Sequence, residues 1–136
     1  SLPVTGAVVV TTPQDIALLD AKKGLRMWQK VNVPVLGIVE NMAMYVCPKC
    51  GHMEHIFGEG GAKRMSKQYN VPVLGQLPLD PKIREQADNG LPTVADDPEG
   101  PVAAIYRDIA LKAAAGIALV AKDSSRVMPQ VQVVND

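Results

Sequence analysis

The sequence predicts an α/β fold, in which part of a doubly wound parallel sheet is flanked by helices. Three short apolar runs, typical of strands buried on both faces, alternate with segments that carry an apolar stripe at helical spacing. The chain has 136 residues, of which 47% are hydrophobic and 21% charged, a composition that fits one globular domain. Eleven prolines and eleven glycines indicate many short elements, as α/β folds require.

The first predicted unit is a strand, a helix and a second strand. Val4–Val10 predicts a strand buried on both faces, and Thr12 before Pro13 predicts a helix start with a hydroxyl N-cap. The helix is expected to end near Asn32, and Val35–Val39 predicts the second strand, parallel to the first. The apolar stripe of the helix consists of Leu18, Ala21, Leu25 and Trp28.

The second half of the chain predicts one further strand and three helices. Ala62–Tyr69 predicts a short helix, Val73–Leu77 a third strand and Lys82–Asn89 another helix. A long helix is expected from about Pro101 to Ala121, and the residues from Asp123 onward are expected to form a mobile tail. The stripe of the long helix consists of Val102, Ile105, Ile109, Ala113, Ile117 and Val120.

Composition narrows the classes of function. Fourteen basic and fourteen acidic residues give no net charge, so neither nucleic acid nor an anionic membrane is an expected partner. One Trp, three Tyr and one Phe are too few for a base-stacking platform. The most apolar stretch, Ala113–Ala121, is about half a membrane span. No secretory signal is visible, and the two cysteines of the chain fit a reducing, cytoplasmic compartment better than a disulfide scaffold.

Both cysteines lie in Glu40–Gly61, a segment without periodicity. The spacing of Cys47 and Cys50 lets two thiolates point at one metal, as zinc and iron–sulfur sites require. Both kinds of site normally need four ligands. The missing two could be His52 and His55, which would complete a local zinc site, or the same cysteine pair from a second chain.

Two other interpretations of the cysteine pair stay open. A thioredoxin-like redox couple is disfavoured because such a pair normally opens a helix, whereas Cys47 and Cys50 lie within a loop. An unliganded pair of surface thiols is the remaining alternative.

Three other segments bear on ligand binding. Gly58–Lys63 superficially resembles a phosphate-binding loop, but the required spacing and the Gly-Lys-Ser/Thr ending are missing, which favours a hinge before a helix. Asn41 follows the second strand, and Pro78–Asp80 follows the third. Ligands bind at the carboxyl ends of parallel strands in open sheets, although each segment alone is also ordinary turn chemistry.

Several motifs occur in the order found in one known family. They are Val9–Gln14 (VVTTPQ), Gly37–Met42 (GIVENM), Cys47–Cys50 (CPKC), Val71–Gly75 (VPVLG) and Leu77–Pro81 (LPLDP). With these motifs the chain resembles the Mrp/ApbC iron–sulfur cluster carriers, P-loop ATPases related to MinD and to nitrogenase iron protein, over nearly all of residues 2–122. The resemblance implies that residues 1–122 are the C-terminal half of such a P-loop NTPase-like domain, with a metal-binding loop at 41–61 and a tail at 123–136.

The resemblance also implies functional residues. Cys47 and Cys50 are expected to hold a [4Fe–4S] cluster shared across a homodimer, and the family delivers clusters to apo-proteins with ATP and Mg²⁺ in the full-length protein. The family positions around the adenine ring of ATP match Asn41, Leu77, Pro78 and Asp80.

The chain departs from the family pattern in one respect. The glycine-rich phosphate loop and the acidic magnesium ligands, which lie upstream in family members, have no counterpart in these 136 residues. We therefore expect a C-terminal portion that does not hydrolyse ATP alone and that exposes an apolar strand edge. The alternatives to a cluster carrier are a zinc-binding structural or interaction domain and a fragment of a deviant-Walker partitioning ATPase.

Overall fold

A computed structural model describes residues 3–126 of the chain. The first strand, helix and strand are β1 (Ala7–Thr11), α1 (Asp15–Lys30) and β2 (Val35–Glu40). Two short strands follow, β3 (Tyr45–Val46) and β4 (Met53–Glu54). The remaining elements are α2 (Gly61–Tyr69), β5 (Val73–Gln76), α3 (Pro81–Asp88), α4 (Thr93–Asp96) and α5 (Pro101–Arg126).

The central sheet is parallel and has the strand order β1-β2-β5, which confirms the predicted fold class. β2 is the middle strand, with Val9 opposite Ile38 on one side and Ile38 opposite Val73 on the other. All three strands end at the same edge of the sheet, where Glu40 pairs in register with Thr11 of β1 and with Gln76 of β5. The following loops therefore emerge side by side at this carboxyl edge.

Helices cover both faces of the sheet. On one face α1 and α2 bury the larger cluster, which contains Val9, Leu18, Ala21, Leu25, Ile38, Ala62, Met65 and Val71. On the other face α5 packs its residues Val102, Ile105, Tyr106, Ile109 and Ala113 against Val39, Leu74 and Leu77. The predicted stripe of α1 is confirmed. The predicted stripe of α5 is confirmed through Ala113, whereas Ile117 is 42% exposed.

The sequence predicts that β1 is buried on both faces, but the structure shows that one face is exposed. Its burial alternates, and Val8 and Val10 are 38% and 62% exposed, because α5 packs against β5 and β2 and leaves this face of β1 open. Within residues 3–126, β1 pairs with β2 alone. Its other edge is therefore unpaired in the described part of the chain, which agrees with the exposed strand edge that the sequence predicts.

Helix boundaries differ from the predictions at two places. α1 begins at Asp15 with Gln14 as its N-cap residue, so the predicted Thr12 cap is wrong; Thr12 instead accepts a hydrogen bond from the Thr11 hydroxyl through its carbonyl oxygen. α5 continues to Arg126, past the predicted end at Ala121, so residues 123–126 are helical. The rest of the predicted tail, residues 127–136, lies outside the described residues.

Two segments between the predicted elements contain regular structure. The hairpin of β3 and β4 lies in the segment that carries the cysteines, and α4 forms one turn of helix after α3. The predicted helices before and after β5 are confirmed within one residue of their ends. No helix of residues 3–126 has the length and apolar character needed to cross a membrane.

Candidate metal centre

The two cysteines lie on a tight turn at the tip of a small hairpin. β3 and β4 are antiparallel, with Val46 opposite Met53, and the turn between them contains both thiols. The N–H of Cys47 donates to the carbonyl of His52 at 2.9 Å, and the N–H of Gly51 donates to the carbonyl of Cys47 at 2.8 Å. Gly51 has a φ of 74°, a left-handed conformation that favours glycine. The turn therefore brings the predicted cysteine pair together.

The turn also stabilises a thiolate at Cys47. The backbone N–H of Cys50, then that of Lys49, and then the Cys50 side chain donate to its sulfur, and these hydrogen bonds lower the pKa of Cys47 below the ordinary value of a thiol. Both cysteines are free, with Cys47 half-buried and Cys50 exposed. Since the thiolate is the form that binds metals, the turn is prepared for that chemistry at Cys47.

The two histidines do not join the cysteines in a zinc site. His55 donates from Nδ1 to the carbonyl of Ala43 at 2.9 Å, and its Nε2 lies 3.7 Å from a carboxylate oxygen of Glu59. His52 is exposed. Across residues 3–126, no three side chains of His, Cys, Asp or Glu lie close enough together to hold one metal ion. The described part of the chain thus offers two thiolates, and the other ligands of a four-coordinate site would come from elsewhere.

The four residues expected around adenine lie near one another at the carboxyl edge but do not line a single cavity. The side-chain oxygen of Asn41 accepts a hydrogen bond from the N–H of Met42, and Asn41 borders a shallow surface depression beside β1. Leu77 is 5% exposed and packs in the core beneath α5. Pro78 and Asp80 line a different cavity, between the hairpin and α5. Their role as nucleotide contacts stays a prediction.

This cavity has a volume of about 570 Å³ and a mostly apolar lining. Tyr45, Val46 and Pro48 contribute from the cysteine hairpin, and Val102 and Ile105 contribute from α5. Its volume and lining are typical of small-molecule sites. Its lining includes both neighbours of Cys47, so a ligand seated there would lie beside the cysteine turn.

The sequence analysis did not identify Glu40, which connects the loop that carries the cysteines to the sheet through hydrogen bonds. Glu40 is 2% exposed, and its carboxylate accepts hydrogen bonds from the Ala62 N–H and from the Gln76 side chain, each at 2.9 Å. The available signal was a carboxylate that directly continues an apolar strand with no charged residue, Val35–Val39. Such a residue is rarely buried without partners.

The chain matches the family model described as "ParA: NUBPL iron-transfer P-loop NTPase" over residues 1–114. It is 58% identical to the iron-sulfur cluster carrier protein of Pseudomonas fragi over 116 residues, which cover 85% of this chain and 40% of that protein. It is 51% identical to the iron-sulfur cluster transfer protein NUBPL of Mus musculus over 110 residues, 81% of this chain and 34% of that protein. The chain thus spans less than half the length of these relatives.

Solved structures show the same fold. The cell division ATPase MinD of Pyrococcus furiosus superposes with a TM-score of 0.62 at 28% identity, over 79% of this chain and 41% of that chain. A nucleotide-binding protein of Archaeoglobus fulgidus, solved in complex with ADP, superposes with a TM-score of 0.55 at 37% identity, over 63% of this chain and 35% of that chain.

Proposed function

The chain belongs to the ApbC/NUBPL family of iron–sulfur cluster carriers, which are MinD-like P-loop NTPases, and from this premise we propose that Cys47 and Cys50 hold an iron–sulfur cluster as cargo. The observation that carries the proposal is the turn itself, which presents two thiols at the tip of one hairpin. The cargo is a [4Fe–4S] cluster, and its recipients are apo-proteins. Two free thiols also fit the reducing, cytoplasmic compartment expected from the sequence.

The number of ligands supports a cluster that bridges two copies of the chain. A [4Fe–4S] cluster takes four thiolates, and the described residues of one chain supply two of them on this turn. Two chains related by a twofold axis supply all four, and a closed twofold dimer is the commonest form of homo-oligomer. Each chain then contributes Cys47 and Cys50 equally.

Transfer to a recipient is an exchange of thiolate ligands. As each recipient cysteine loses its proton and forms an Fe–S bond, one Fe–S bond to Cys47 or Cys50 breaks, and the released thiolate takes up a proton. Iron keeps its oxidation state throughout. The exposed Cys50 lies on the side that an incoming thiol reaches first, and the N–H groups that stabilise the Cys47 thiolate favour its release as a leaving group.

Adenine contact by Asn41, Leu77, Pro78 and Asp80 is the second part of the proposal. The positions of Pro78 and Asp80 beside a cavity, and the likeness to a protein solved in complex with ADP, support it. The 136 residues contain no Gly-x-x-x-x-Gly-Lys-Ser/Thr run to hold phosphates and, through its hydroxyl, Mg²⁺. We therefore expect weak adenine binding and no ATP hydrolysis by this chain alone.

Anaerobic reconstitution of the 136-residue chain with iron and sulfide tests the proposal. We expect an absorption band of a [4Fe–4S] cluster, four irons and four sulfides per two chains, and a dimer by size-exclusion chromatography with light scattering. Cys47→Ser or Cys50→Ser removes two of the four ligands in a symmetric dimer and should abolish cluster retention.

His52→Ala is the matched control because His52 lies on the same turn without contributing a ligand. It should retain the cluster. The proposal is wrong if the chain instead binds one zinc ion per monomer and the variant lacking both histidines loses it.

A further inference from the structure

The carboxylate of Glu40 is buried at the base of the loop that carries the cysteines. Its Oε2 accepts a hydrogen bond from the backbone N–H of Ala62, in the first turn of α2, and its Oε1 accepts one from Nε2 of Gln76. A buried carboxylate is stable only when such donors replace water, and the N-terminus of a helix favours negative charge. Both oxygens of Glu40 are thus held in place.

The hydrogen bond between Ala62 and Glu40 connects the two ends of the loop. Glu40 immediately precedes residues 41–61, and Ala62 immediately follows them. The link is from a side chain to the backbone across 22 positions, so it fixes where the outgoing end of the loop lies relative to β2.

Further contacts connect the same two arms, one inside another, up to the cysteines. The Ala43 carbonyl accepts from His55, then β3 pairs with β4, and finally the Cys47 N–H donates to His52. Each contact joins a residue of the incoming arm to one of the outgoing arm. The Glu40–Ala62 hydrogen bond is the outermost of the series and the only one that ends on the helix.

We propose that Glu40 is a positioning residue for the cysteine pair: by tying the start of α2 to the end of β2, its carboxylate sets the separation of the two arms and thereby the place of the Cys47–Cys50 turn. The expected effect of Glu40 on cluster retention rests on the proposed function. Its expected effect on the position of the Cys47–Cys50 turn does not.

Two substitutions distinguish the contribution of the length of the Glu40 side chain from that of its charge. Glu40→Asp keeps the charge, but its carboxylate is one methylene shorter and cannot reach both Ala62 and Gln76. Glu40→Gln keeps the reach: its carbonyl oxygen accepts from Ala62, and its NH₂ donates to Gln76 once that amide turns over. If Glu40 acts by holding the two arms in position, Glu40→Gln should preserve the cysteine turn and Glu40→Asp should not.

The first measurement is amide hydrogen exchange in the full 136-residue chain, read by NMR at Cys47 and Gly51. In Glu40→Asp we expect exchange of both amides to rise about tenfold, as expected when a hydrogen bond to a charged group is lost. Glu40→Gln should stay near the wild type. Ile109→Val, a cavity variant in the cluster under α5, is the control. After correction for its change in the free energy of unfolding, exchange at Cys47 and Gly51 should be the same as in the wild type.

Gln76→Ala is the second variant because Gln76 is exposed and its truncation leaves the core intact. It removes one of the two partners of Glu40, and we expect a smaller rise in exchange at Cys47 and Gly51. The proposal is overturned if Glu40→Asp and Gln76→Ala leave these amides at the wild-type rate, or if Ile109→Val raises them equally.

The second measurement is cluster loss to a chelator after reconstitution. We expect the half-life to fall about tenfold or more in Glu40→Asp, the size typical of residues that orient metal ligands, and to stay near the wild type in Glu40→Gln. Equal half-lives in Glu40→Asp and the wild type would show that Glu40 does not position the ligands. A wild-type chain that takes up no cluster would contradict the proposed function and leave the exchange result to decide the role of Glu40.

Discussion

Gly75 of β5 lies directly beneath Ile109 of α5, so closely that a Cβ on Gly75 would be 2.5 Å from Cγ1 of Ile109. The glycine therefore allows the helix to approach the sheet at this point. Gly75→Ala should lower the free energy of unfolding by about 1–3 kcal/mol, because Ile109 is packed and cannot move away freely. Urea denaturation followed by circular dichroism measures this change.

Gly24→Ala is the control, for which we expect a change in the free energy of unfolding opposite in sign to that of Gly75→Ala. Gly24 lies inside α1, and a Cβ there would have no heavy atom within 4 Å. Alanine should raise the free energy of unfolding by about 0.5–1 kcal/mol through helix propensity alone. If Gly75→Ala were as stable as the wild type, the close packing of α5 on β5 would be wrong.

Gly51→Ala should weaken the cysteine turn without affecting the core. Its φ of 74° costs an alanine about 1 kcal/mol, and no heavy atom lies within 4 Å of the added Cβ, so the cost is conformational. We expect a shorter cluster half-life and a loss of at most about 1 kcal/mol in the free energy of unfolding of the apo chain. Gly51→Asn should be milder, because asparagine tolerates this conformation better. Equal loss in both variants would indicate a different cause.

Cys47 should react with iodoacetamide at lower pH than a free thiol. The N–H groups of Cys50 and Lys49 lower its pKa, so the thiolate is present above this lowered pKa and is lost as the pH falls through it. Mass spectrometry of the apo chain gives the rate at Cys47 as a function of pH. The midpoint should lie below that of a cysteine peptide, and it should return to the peptide value in urea.

Cys50→Ala tests the source of this effect. Two of the three contributions come from backbone N–H groups, which the substitution leaves in place, so most of the lowering should persist. A return to the value of a free thiol would assign the effect to the Cys50 side chain.

Val10→Lys should reduce self-association of the apo chain. Val10 is 62% exposed on β1, a strand whose second edge is unpaired within residues 3–126, and lysine on such a strand opposes pairing between chains. The free energy of unfolding should change by no more than about 0.5 kcal/mol. Ile16→Lys, at a 76% exposed position on α1, is the matched control and should reduce light scattering less.

The parallel sheet and its main helices could be predicted from the sequence because their signals are local. The apolar run of β2 and the spacing of Leu18, Ala21 and Leu25 each report burial within a few residues. The cysteine pair was likewise found by spacing alone. Its role as a ligand pair is still a prediction.

The features that escaped prediction depend on contacts between distant residues. β3 and β4 have two residues each, too few for any periodicity, and their pairing follows from the turn between them. Val8 and Val10 are exposed because of where α5 lies, which the run of valines does not encode. The burial of Glu40 requires donors that are 22 and 36 positions away.

The pairing of β2 with β5 has a consequence for the modularity of the protein. The sheet and α2 complete a strand–helix–strand crossover to which the hairpin adds no strand, since β3 and β4 pair only with each other among the described strands. The arms of the hairpin meet at its base, where the Ala43 carbonyl lies 2.9 Å from the His55 ring. The incoming arm is also joined to the segment after β5, where the N–H of Ala43 donates to the carbonyl of Leu77 and the N–H of Leu79 donates to the carbonyl of Met44. Protein engineers could therefore exchange residues 45–54 between related scaffolds if they keep these two hydrogen bonds and the one from Ala62 to Glu40.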